Sequence, residues 1–345
     1  MLAFGAASEA SSQDMKPGRE KTVMITGAGG FIGSHVTELL LHEGYRVRAL
    51  VHYNSRGSWG HLQQVPEALR SRLDVKLGDV TDPFLIRSLV EGCDVVLHLA
   101  ALIGIPYSYI APASYVATNV SGTLNVLEAC RQARVQRLVV TSTSEVYGTA
   151  RYAPIDEKHP LQGQSPYSAS KIAADKLAES YFCSFDLPVV ILRPFNTYGP
   201  RQSMRAVIPT VLTQALSGAP QIELGNLRPK RDLTFVEDTA RAFLLAATVA
   251  GIEGETIHFG QGVAVSVGAL ARVCLRVADS RATLVSVARR QRPERSEVGL
   301  LLCKPAKAKR LLGWQPEVPL EEGLRRTADY LRAHLAEYRT KDYVI

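Results

Sequence analysis

A tyrosine and a lysine stand four residues apart in this chain of 345 residues, at Tyr167 and Lys171. The segment from Ser165 to Lys171 predicts the start of a helix, and this spacing places both side chains on one helix face. An ammonium group beside a phenol lowers the phenol pKa by favouring the phenolate, and a phenolate can take a proton from a hydroxyl group. The spacing is common by chance, and alone it also describes an ordinary solvated helix face.

Three glycines near the start of the chain have the spacing of a phosphate-binding turn. Gly27, Gly30 and Gly33 form G-x-x-G-x-x-G between the apolar run Thr22–Thr26 and a segment with helical periodicity. Glycine permits a tight turn and lets backbone N–H groups approach a pyrophosphate at the helix N-terminus, which predicts a dinucleotide site. The other interpretation is a plain strand-to-helix turn. Downstream of a site for a hydride acceptor, the tyrosine and lysine become a candidate pair for oxidising a hydroxyl group.

The end of the second predicted strand indicates which dinucleotide is bound. Sites for NAD usually place an acidic residue there, and its carboxylate holds the ribose 2′-hydroxyl. This chain has Val51 and His52 at that point, followed by Asn54, Ser55 and Arg56. These groups would not repel a 2′-phosphate, so the sequence favours NADP over NAD. The alternative is that they are loop residues and that NAD binds without the acidic contact.

Apolar runs alternate with amphipathic segments, which predicts an α/β fold with a doubly wound parallel sheet of the Rossmann type. The predicted strands are Thr22–Thr26, Arg46–Val51, Asp74–Leu77, Val95–Leu99, Arg137–Ser142 and Val189–Arg193, and the predicted helices include Thr118–Arg131 and Ala169–Tyr181. Asp79 follows the third strand, where a carboxylate can meet an adenine amine or cap the helix that starts near Asp82. His98, at the end of the fourth strand, is expected to be a packed histidine near the cofactor.

Three regions of the chain differ in pattern. Residues 1–20 are rich in alanine and serine and are predicted to be a disordered tail, and residues 21–199 are predicted to form the dinucleotide-binding domain. Residues 200–345 are predicted to form mainly a smaller substrate-binding lobe. Within 230–260, the apolar run Glu255–Phe259 predicts a return of the chain to the main sheet.

The composition excludes several classes of protein. Hydrophobic residues make up 46% of the chain and charged residues 21%, which is typical of a globular protein. No apolar run is long enough for a membrane span, and no basic and aromatic repeat indicates nucleic-acid binding. The five cysteines are odd in number and widely spaced, which favours a reducing cytoplasm and argues against a disulfide framework or a metal site.

Seven motifs carry a more specific resemblance. They are T-G-A-G-G-F-I-G at 26–33, H-L-A-A at 98–101, N-V-S-G-T at 119–123, S-T-S-E-V-Y-G at 142–148, Y-x-x-x-K at 167–171, R-P-F-N-T-Y-G-P at 193–200 and R-D-L-T-F-V-E-D at 231–238. Over roughly residues 21–330 the chain resembles the extended short-chain dehydrogenases/reductases, in particular the NAD(P)-dependent nucleotide-sugar epimerases and dehydratases.

The resemblance implies a cofactor site and a catalytic set. The implied cofactor contacts are Gly27, Gly30, Phe31, Ile32, Gly33, Asn54, Ser55, Arg56, Asp79, Val80, Leu99, Ala100, Ala101, Tyr167 and Lys171. In such enzymes the tyrosine takes the proton of the sugar 4-hydroxyl while hydride leaves carbon 4 for the nicotinamide. The resemblance implies that Tyr167 does this here, that Lys171 holds the cofactor ribose, and that Thr143 hydrogen-bonds the 4-hydroxyl.

The residues after Thr143 are expected to decide the next step. Glu145 matches the single carboxylate of the GDP-mannose 4,6-dehydratases, where it takes the proton of carbon 5 and relays a proton to the departing 6-hydroxyl, before hydride returns to carbon 6. The 4-epimerases generally have small neutral residues there and return the hydride to carbon 4. Ser144 replaces the aspartate of the dTDP-glucose enzymes. The plainer interpretation of Glu145 is a carboxylate with a local hydrogen bond at the end of a strand.

The implied substrate is a nucleotide sugar, whose diphosphate suits bidentate arginine contacts. The implied substrate contacts are Thr143, Ser144, Asn196, Arg201, Arg231 and Arg292. Runs at 54–60, 101–109 and 201–209 resemble the UDP- or GDP-N-acetylglucosamine 4,6-dehydratases. A 4-epimerase and a non-catalytic NADP-binding sensor are the alternatives, and a homodimer is expected because such enzymes usually pair through two helices.

Overall fold

The computed structural model describes residues 21–338 of the chain. Its strands are β1 Thr22–Thr26, β2 Arg46–His52, β3 Leu73–Gly78, β4 Val95–His98, β5 Arg137–Thr141, β6 Val189–Pro194, β7 Asn196–Tyr198, β8 Gln221–Leu224, β9 Lys230–Phe235, β10 Thr256–Phe259, β11 Ala264–Ser266, β12 Thr283–Ser286 and β13 Leu300–Leu301. Its α-helices are α1 Phe31–His42, α2 Glu67–Arg70, α3 Pro83–Val90, α4 Ile105–Ile110, α5 Pro112–Tyr115, α6 Gly122–Ala133, α7 Pro166–Phe185, α8 Val207–Leu216, α9 Val236–Thr248, α10 Val267–Val277, α11 Ala306–Leu312 and α12 Leu320–Ala333.

The main sheet has seven strands in the order β10-β6-β5-β4-β1-β2-β3, and every pair in it is parallel. The predicted Rossmann-type sheet is confirmed. The strand order reverses between β1 and β4, so the carboxyl ends of these two strands diverge into a crevice that is the usual ligand site of such sheets. The glycine turn follows β1 at this point.

Side chains of each strand alternate between two buried layers. On one face of the sheet, Val23 and Ile25 of β1 pack with Val36 of α1 and Phe243 of α9. On the other face, Met24 packs with residues of α3, α6 and α7. Burial of each such side chain stabilises the fold by about 1.5–3 kcal/mol, so both faces are firmly covered and the strand ends are held in place.

A smaller lobe is built around β9, which pairs with β7, β11 and β13, while β8 pairs with β12. Its core contains α8, α10 and α12. The predicted return to the main sheet is made by α9 and β10, since β10 pairs with β6 and α9 packs on α1. The segment 230–235 within the predicted return does not join the main sheet, because it forms the central strand of the second lobe.

Two further predictions differ from the structure or fall outside it. The helix predicted at Thr118–Arg131 is a π-helical turn, Val116–Ser121, that leads into α6. The tail predicted at residues 1–20 lies outside the described residues. Within residues 21–338, every helix is too short or too polar to cross a bilayer.

Candidate active site

The glycine turn is shaped for a close approach of the backbone. Gly27 has φ +71°, which favours glycine, and the Gly30 N–H donates to the Gly27 carbonyl at 3.1 Å. A Cβ at Gly33 would lie 2.2 Å from the Gly27 oxygen, and one at Gly27 would lie 2.8 Å from the backbone nitrogen of Ala100. No side chain caps the first turn of α1. This cradle and its free N–H groups fit the pyrophosphate of a dinucleotide.

The loop after β2 folds back over the glycine turn. The His61 N–H donates to the Gly29 carbonyl at 3.0 Å. Asn54 shapes this loop, because its side-chain amide donates to the Ser58 carbonyl at 2.8 Å and its oxygen accepts from the Ser58 N–H. The Asn54 side chain is therefore engaged within the loop, and its contact with a ribose phosphate stays a prediction. Ser55 and Arg56 are exposed.

The ends of β3 and β4 supply the other predicted cofactor contacts. Asp79 accepts from the backbone and hydroxyl of Thr81 at 2.8 Å, whereas Asp82 caps α3, so the alternative of a helix cap at Asp79 is wrong. His98 is buried between the hydroxyls of Thr26 and Thr123, at 2.8 and 3.0 Å. Burial, together with the charge of Lys171, lowers the pKa of His98 to about 3. His98 is thus a neutral packed histidine, as expected.

Helix α7 brings the tyrosine and lysine into the crevice. Ser165 caps the helix through a reciprocal pair of hydrogen bonds with Ser168, which fixes the first turn. Tyr167 and Lys171 are 7% and 3% exposed, so neither belongs to a solvated helix face. The Lys171 ammonium donates to the Thr141 carbonyl at 2.5 Å, at the end of β5.

The turn after β5 presents two more groups to the tyrosine. The side chains of Thr143 and Tyr167 are hydrogen-bonded, and the Glu145 carboxylate is close enough to act on the phenol electrostatically. Burial raises the pKa of Tyr167 well above its ordinary value; the bond from Thr143 opposes this and Glu145 adds to it. The expectation of a lowered phenol pKa is therefore wrong for the protein alone, because burial raises the pKa and the charges of Glu145 and Asp175 raise it further.

Two arginines of the second lobe lie beyond Glu145. The Arg231 side chain is 12% exposed and lies 3.4 Å from the Glu297 carboxylate, which Arg292 approaches to 3.9 Å. Burial lowers the pKa of Arg231, and Glu145 opposes this while Arg292 reinforces it. Glu145 therefore acts electrostatically on both the phenol and Arg231, and the site has an acid–base end and a cationic end.

Comparison with known proteins agrees with this arrangement. The sequence model of the GDP-mannose 4,6 dehydratase family matches residues 24–327. The chain belongs to this family. Its resemblance to the extended short-chain nucleotide-sugar dehydratases and epimerases is confirmed.

Relatives of the family match nearly the whole chain. A dTDP-glucose 4,6-dehydratase of Actinoplanes is 33% identical over 317 residues, which cover 90% of this chain and 98% of the relative. The solved dTDP-glucose 4,6-dehydratase of Streptomyces venezuelae, with NAD and TYD bound, has a TM-score of 0.82 at 30% identity and covers 92% of this chain and 99% of that one. The UDP-glucuronic acid 4-epimerase of Bacillus cereus, in complex with UDP-glucuronic acid and NAD, has a TM-score of 0.84 at 29% identity, with coverages of 91% and 99%.

The remaining predicted substrate contacts of this family member form two groups: Asn196 and Ser144 have buried side-chain atoms, and Arg201 is engaged in an ion pair. The side-chain oxygen of Asn196 is buried without a hydrogen-bond partner, and Ser144 is buried in the turn that presents Glu145. Arg201 lies elsewhere, because its guanidinium makes a bidentate ion pair with Glu38 of α1 at 2.8 and 3.0 Å. The prediction that Arg201 binds a diphosphate is corrected, since its donors are used to join the second lobe to α1.

Sequence reasoning missed three residues that border the site. Tyr109 bonds the Ser296 hydroxyl at 2.6 Å, which ties the segment carrying Arg292 to the larger domain. Arg205 approaches Gly104, where an added Cβ would lie 3.5 Å from its Nη1. Tyr115 donates to the Gly104 carbonyl and packs edge-on against Tyr167, with ring centroids 6.2 Å apart. Tyr109 and Arg205 fall in the runs at 101–109 and 201–209 that carried a resemblance, whereas Tyr115 lies outside both runs and had no such signal.

Proposed function

We propose that the chain is an NAD(P)-dependent nucleotide-sugar 4,6-dehydratase that forms a 4-keto-6-deoxy sugar. The observation that carries this proposal is the Glu145 carboxylate, which shares one site with Thr143 and Tyr167. A second acid–base group is needed to move the carbon 5 proton and the 6-hydroxyl, whereas a 4-epimerase needs none. The proposed substrate is UDP- or GDP-N-acetylglucosamine.

The cofactor site is formed by the glycine turn, the ends of β3 and β4, and Lys171. When bound, NAD(P)+ supplies a reversible hydride acceptor for the sugar. The NAD in the two solved relatives supports a nicotinamide dinucleotide. The preference for NADP is part of the proposal and rests on Ser55 and Arg56, because Asn54 is engaged within its own loop.

The chain's own residues divide the remaining work. Thr143 and Tyr167 hold the sugar 4-hydroxyl, and Tyr167 accepts its proton. Glu145 takes the proton from carbon 5 and passes a proton to the leaving 6-hydroxyl. Arg231 and Arg292 bind the diphosphate, and Asn196 donates its amide to the same end of the substrate. The sugar then lies between these cations and the acid–base groups, in keeping with the electrostatic interaction of Glu145 with both Arg231 and Tyr167.

The second candidate is a nucleotide-sugar 4-epimerase, which the similarity to the UDP-glucuronic acid 4-epimerase favours. Incubation with UDP- and GDP-N-acetylglucosamine, followed by NMR of the products, separates the two reactions. A 4-keto-6-deoxy product supports the dehydratase, and a carbon 4 epimer without loss of water supports the epimerase. A protein that binds NADP and leaves every sugar unchanged would be a non-catalytic sensor.

The variant Glu145→Gln tests the assignment of the carboxylate. Loss of the base should reduce water elimination by about 100-fold or more, while oxidation at carbon 4 stays detectable as absorbance of reduced cofactor at 340 nm. Glu157→Gln is the matched control, because Glu157 lies away from the phenol and accepts from the His258 backbone. Full turnover in Glu145→Gln would contradict the proposal.

We also propose a cytoplasmic homodimer, in which the cysteines stay reduced. All five cysteines are free, and the surface of α3, α6 and α7 exposes Phe84, Leu124 and Phe185 around a groove of about 400 Å³. Apolar side chains grouped in this way are typical of an interface. Sedimentation velocity should show a dimer for the native chain and a monomer for Leu124→Glu; a monomeric native chain would contradict this.

A further inference from the structure

Asp175 is a buried carboxylate that the proposed reaction does not use. It stands on α7 one turn after Lys171 and is 2% exposed. Its Oδ2 accepts from the Ser142 hydroxyl at 2.6 Å and from Arg193 Nη2 at 2.8 Å. Its Oδ1 is buried without a hydrogen-bond partner. A carboxylate in a buried site acts strongly on the charges around it, because the effective dielectric constant there is low.

Asp175 and Lys171 tie α7 to the end of β5 at two successive residues. Lys171 binds the carbonyl of Thr141, and Asp175 binds the hydroxyl of Ser142. The next residue is Thr143, which bonds Tyr167. The two ties therefore fix the distance between the strand end that carries Thr143 and the helix that carries Tyr167.

The charge of Lys171 needs a nearby anion. Its ammonium is buried and its hydrogen bond goes to a neutral carbonyl, while desolvation favours the uncharged amine. The titratable groups that act on Lys171 or Asp175 are Tyr167 of the same helix, His98 of β4 and Arg193 of β6. Glu145 and Tyr115 act on Tyr167, and Tyr147 acts on Arg193. His98 is neutral, and Glu145 lies by the second lobe's arginines. Asp175 is the acidic group on Lys171's own helix face.

We propose that Asp175 is a positioning residue, which keeps the Lys171 ammonium charged and holds Thr143 against Tyr167. The proposal rests on the proposed function, because it takes Lys171 and Tyr167 as working groups. The direction of the effects agrees, since burial lowers the pKa of Lys171 and Asp175 opposes that change. Asp175 is also ion-paired with Arg193 at 2.8 Å, so this carboxylate faces two cations, Arg193 of β6 and Lys171 of its own helix.

Three variants separate charge from hydrogen bonding. Asp175→Asn removes the charge but retains an oxygen for Ser142 and Arg193. Ser142→Ala removes one tie and retains the charge. Glu179→Gln is the matched control, because Glu179 lies one turn further along α7 with its side chain 54% exposed and paired with Lys176. Thermal unfolding checks that each variant is folded.

The first measurement needs no substrate. In protein labelled with ¹³Cε-lysine, the Lys171 signal is identified by its absence from Lys171→Met and is titrated by NMR. The titration midpoint should fall in Asp175→Asn and stay unchanged in Ser142→Ala and Glu179→Gln. An unchanged midpoint in Asp175→Asn, or an equal fall in Glu179→Gln, would overturn the proposal.

The second measurement is the pH profile of kcat/KM with the nucleotide sugar. Between pH 7 and pH 9, Asp175→Asn should lose more activity than the native enzyme, because its Lys171 gives up the proton at a lower pH. Ser142→Ala should lower kcat about tenfold at every pH, and an unchanged kcat there would refute the positioning role, even if Asp175→Asn failed to fold. If the Lys171 midpoint falls in Asp175→Asn but the native protein acts on no nucleotide sugar, the proposed function is contradicted. The effect of Asp175 on Lys171 is not contradicted by that result.

Discussion

Two buried tyrosines, Tyr147 and Tyr167, lie on either side of the polar network at the end of β5, and their surroundings differ in one respect. Burial raises the pKa of both phenols. The hydroxyl of Tyr147 is saturated, because it accepts from Arg193 at 2.9 Å and donates to His258 Nδ1 at 3.0 Å. The hydroxyl of Tyr167 is bonded to Thr143 and faces Glu145.

The difference teaches that a perturbed pKa does not by itself mark a reacting group. Buried structural networks perturb pKa values as strongly as active sites do. Around Tyr147 the cation of Arg193 also lies over the ring, 5.0 Å from its centroid, so each polar atom already has its partner. The Tyr167 hydroxyl instead keeps hydrogen-bond capacity beside Thr143 and the Glu145 carboxylate, which is what a substrate hydroxyl requires.

The largest expected effect is the difference in kcat between two variants, each of which replaces one tyrosine by phenylalanine. Tyr167→Phe should lower kcat by about 10²–10⁴-fold and leave stability nearly unchanged, because it removes a proton acceptor and no saturated bond. Tyr147→Phe should retain kcat within a few-fold and lower the free energy of unfolding by about 1–3 kcal/mol, because Arg193 and His258 lose their partner. Steady-state kinetics and urea unfolding of both variants provide the measurement.

The opposite result would break the comparison. If Tyr147→Phe lost turnover as strongly as Tyr167→Phe while remaining folded, the saturated network would have a direct part in the reaction. Circular dichroism of both variants controls for loss of fold.

Arg231 and Arg201 differ in a similar way. Arg231 is expected to bind the substrate, whereas the donors of Arg201 are used within the protein. Arg231→Ala should raise KM for the nucleotide sugar by about 10- to 100-fold, because a charged hydrogen bond to a diphosphate is lost. Arg201→Ala should leave KM nearly unchanged and lower the free energy of unfolding by about 1–2 kcal/mol, because it removes the ion pair with Glu38 and the hydrogen bonds to Ser34 and Gln64. Equal effects of the two variants on KM would return Arg201 to the substrate site.

The sequence was sufficient for the sheet, the glycine turn and the tyrosine–lysine pair, because each depends on local patterns. Apolar runs between amphipathic segments located the strands, and Gly27 and Gly33 are dictated by close backbone contacts. The role of Arg201 was not predictable, since it depends on where Glu38 of α1 meets a loop 163 residues away. The raised pKa of Tyr167 was also not predicted, because it follows from burial. Burial is set by tertiary packing and not by a neighbour four residues away.

The smallest expected effect is a difference in the pH dependence of stability between variants of two histidines. His98 lies beside Lys171, and His258 lies beside Tyr147. The folded pKa of His98 is about 3 and the unfolded value is 6.5, so the unfolded chain binds more protons below pH 6.5 and stability falls as the pH falls through that range. Burial also lowers the pKa of His258, but Glu157 opposes that change. When the pH falls from 6 to 5, the free energy of unfolding should therefore fall by about 1.4 kcal/mol less in His98→Gln than in the native chain. The corresponding difference between His258→Gln and the native chain should be smaller. Urea unfolding at both pH values measures this, and an equal gain in the two variants would show that Lys171 and Glu157 do not distinguish the two regions.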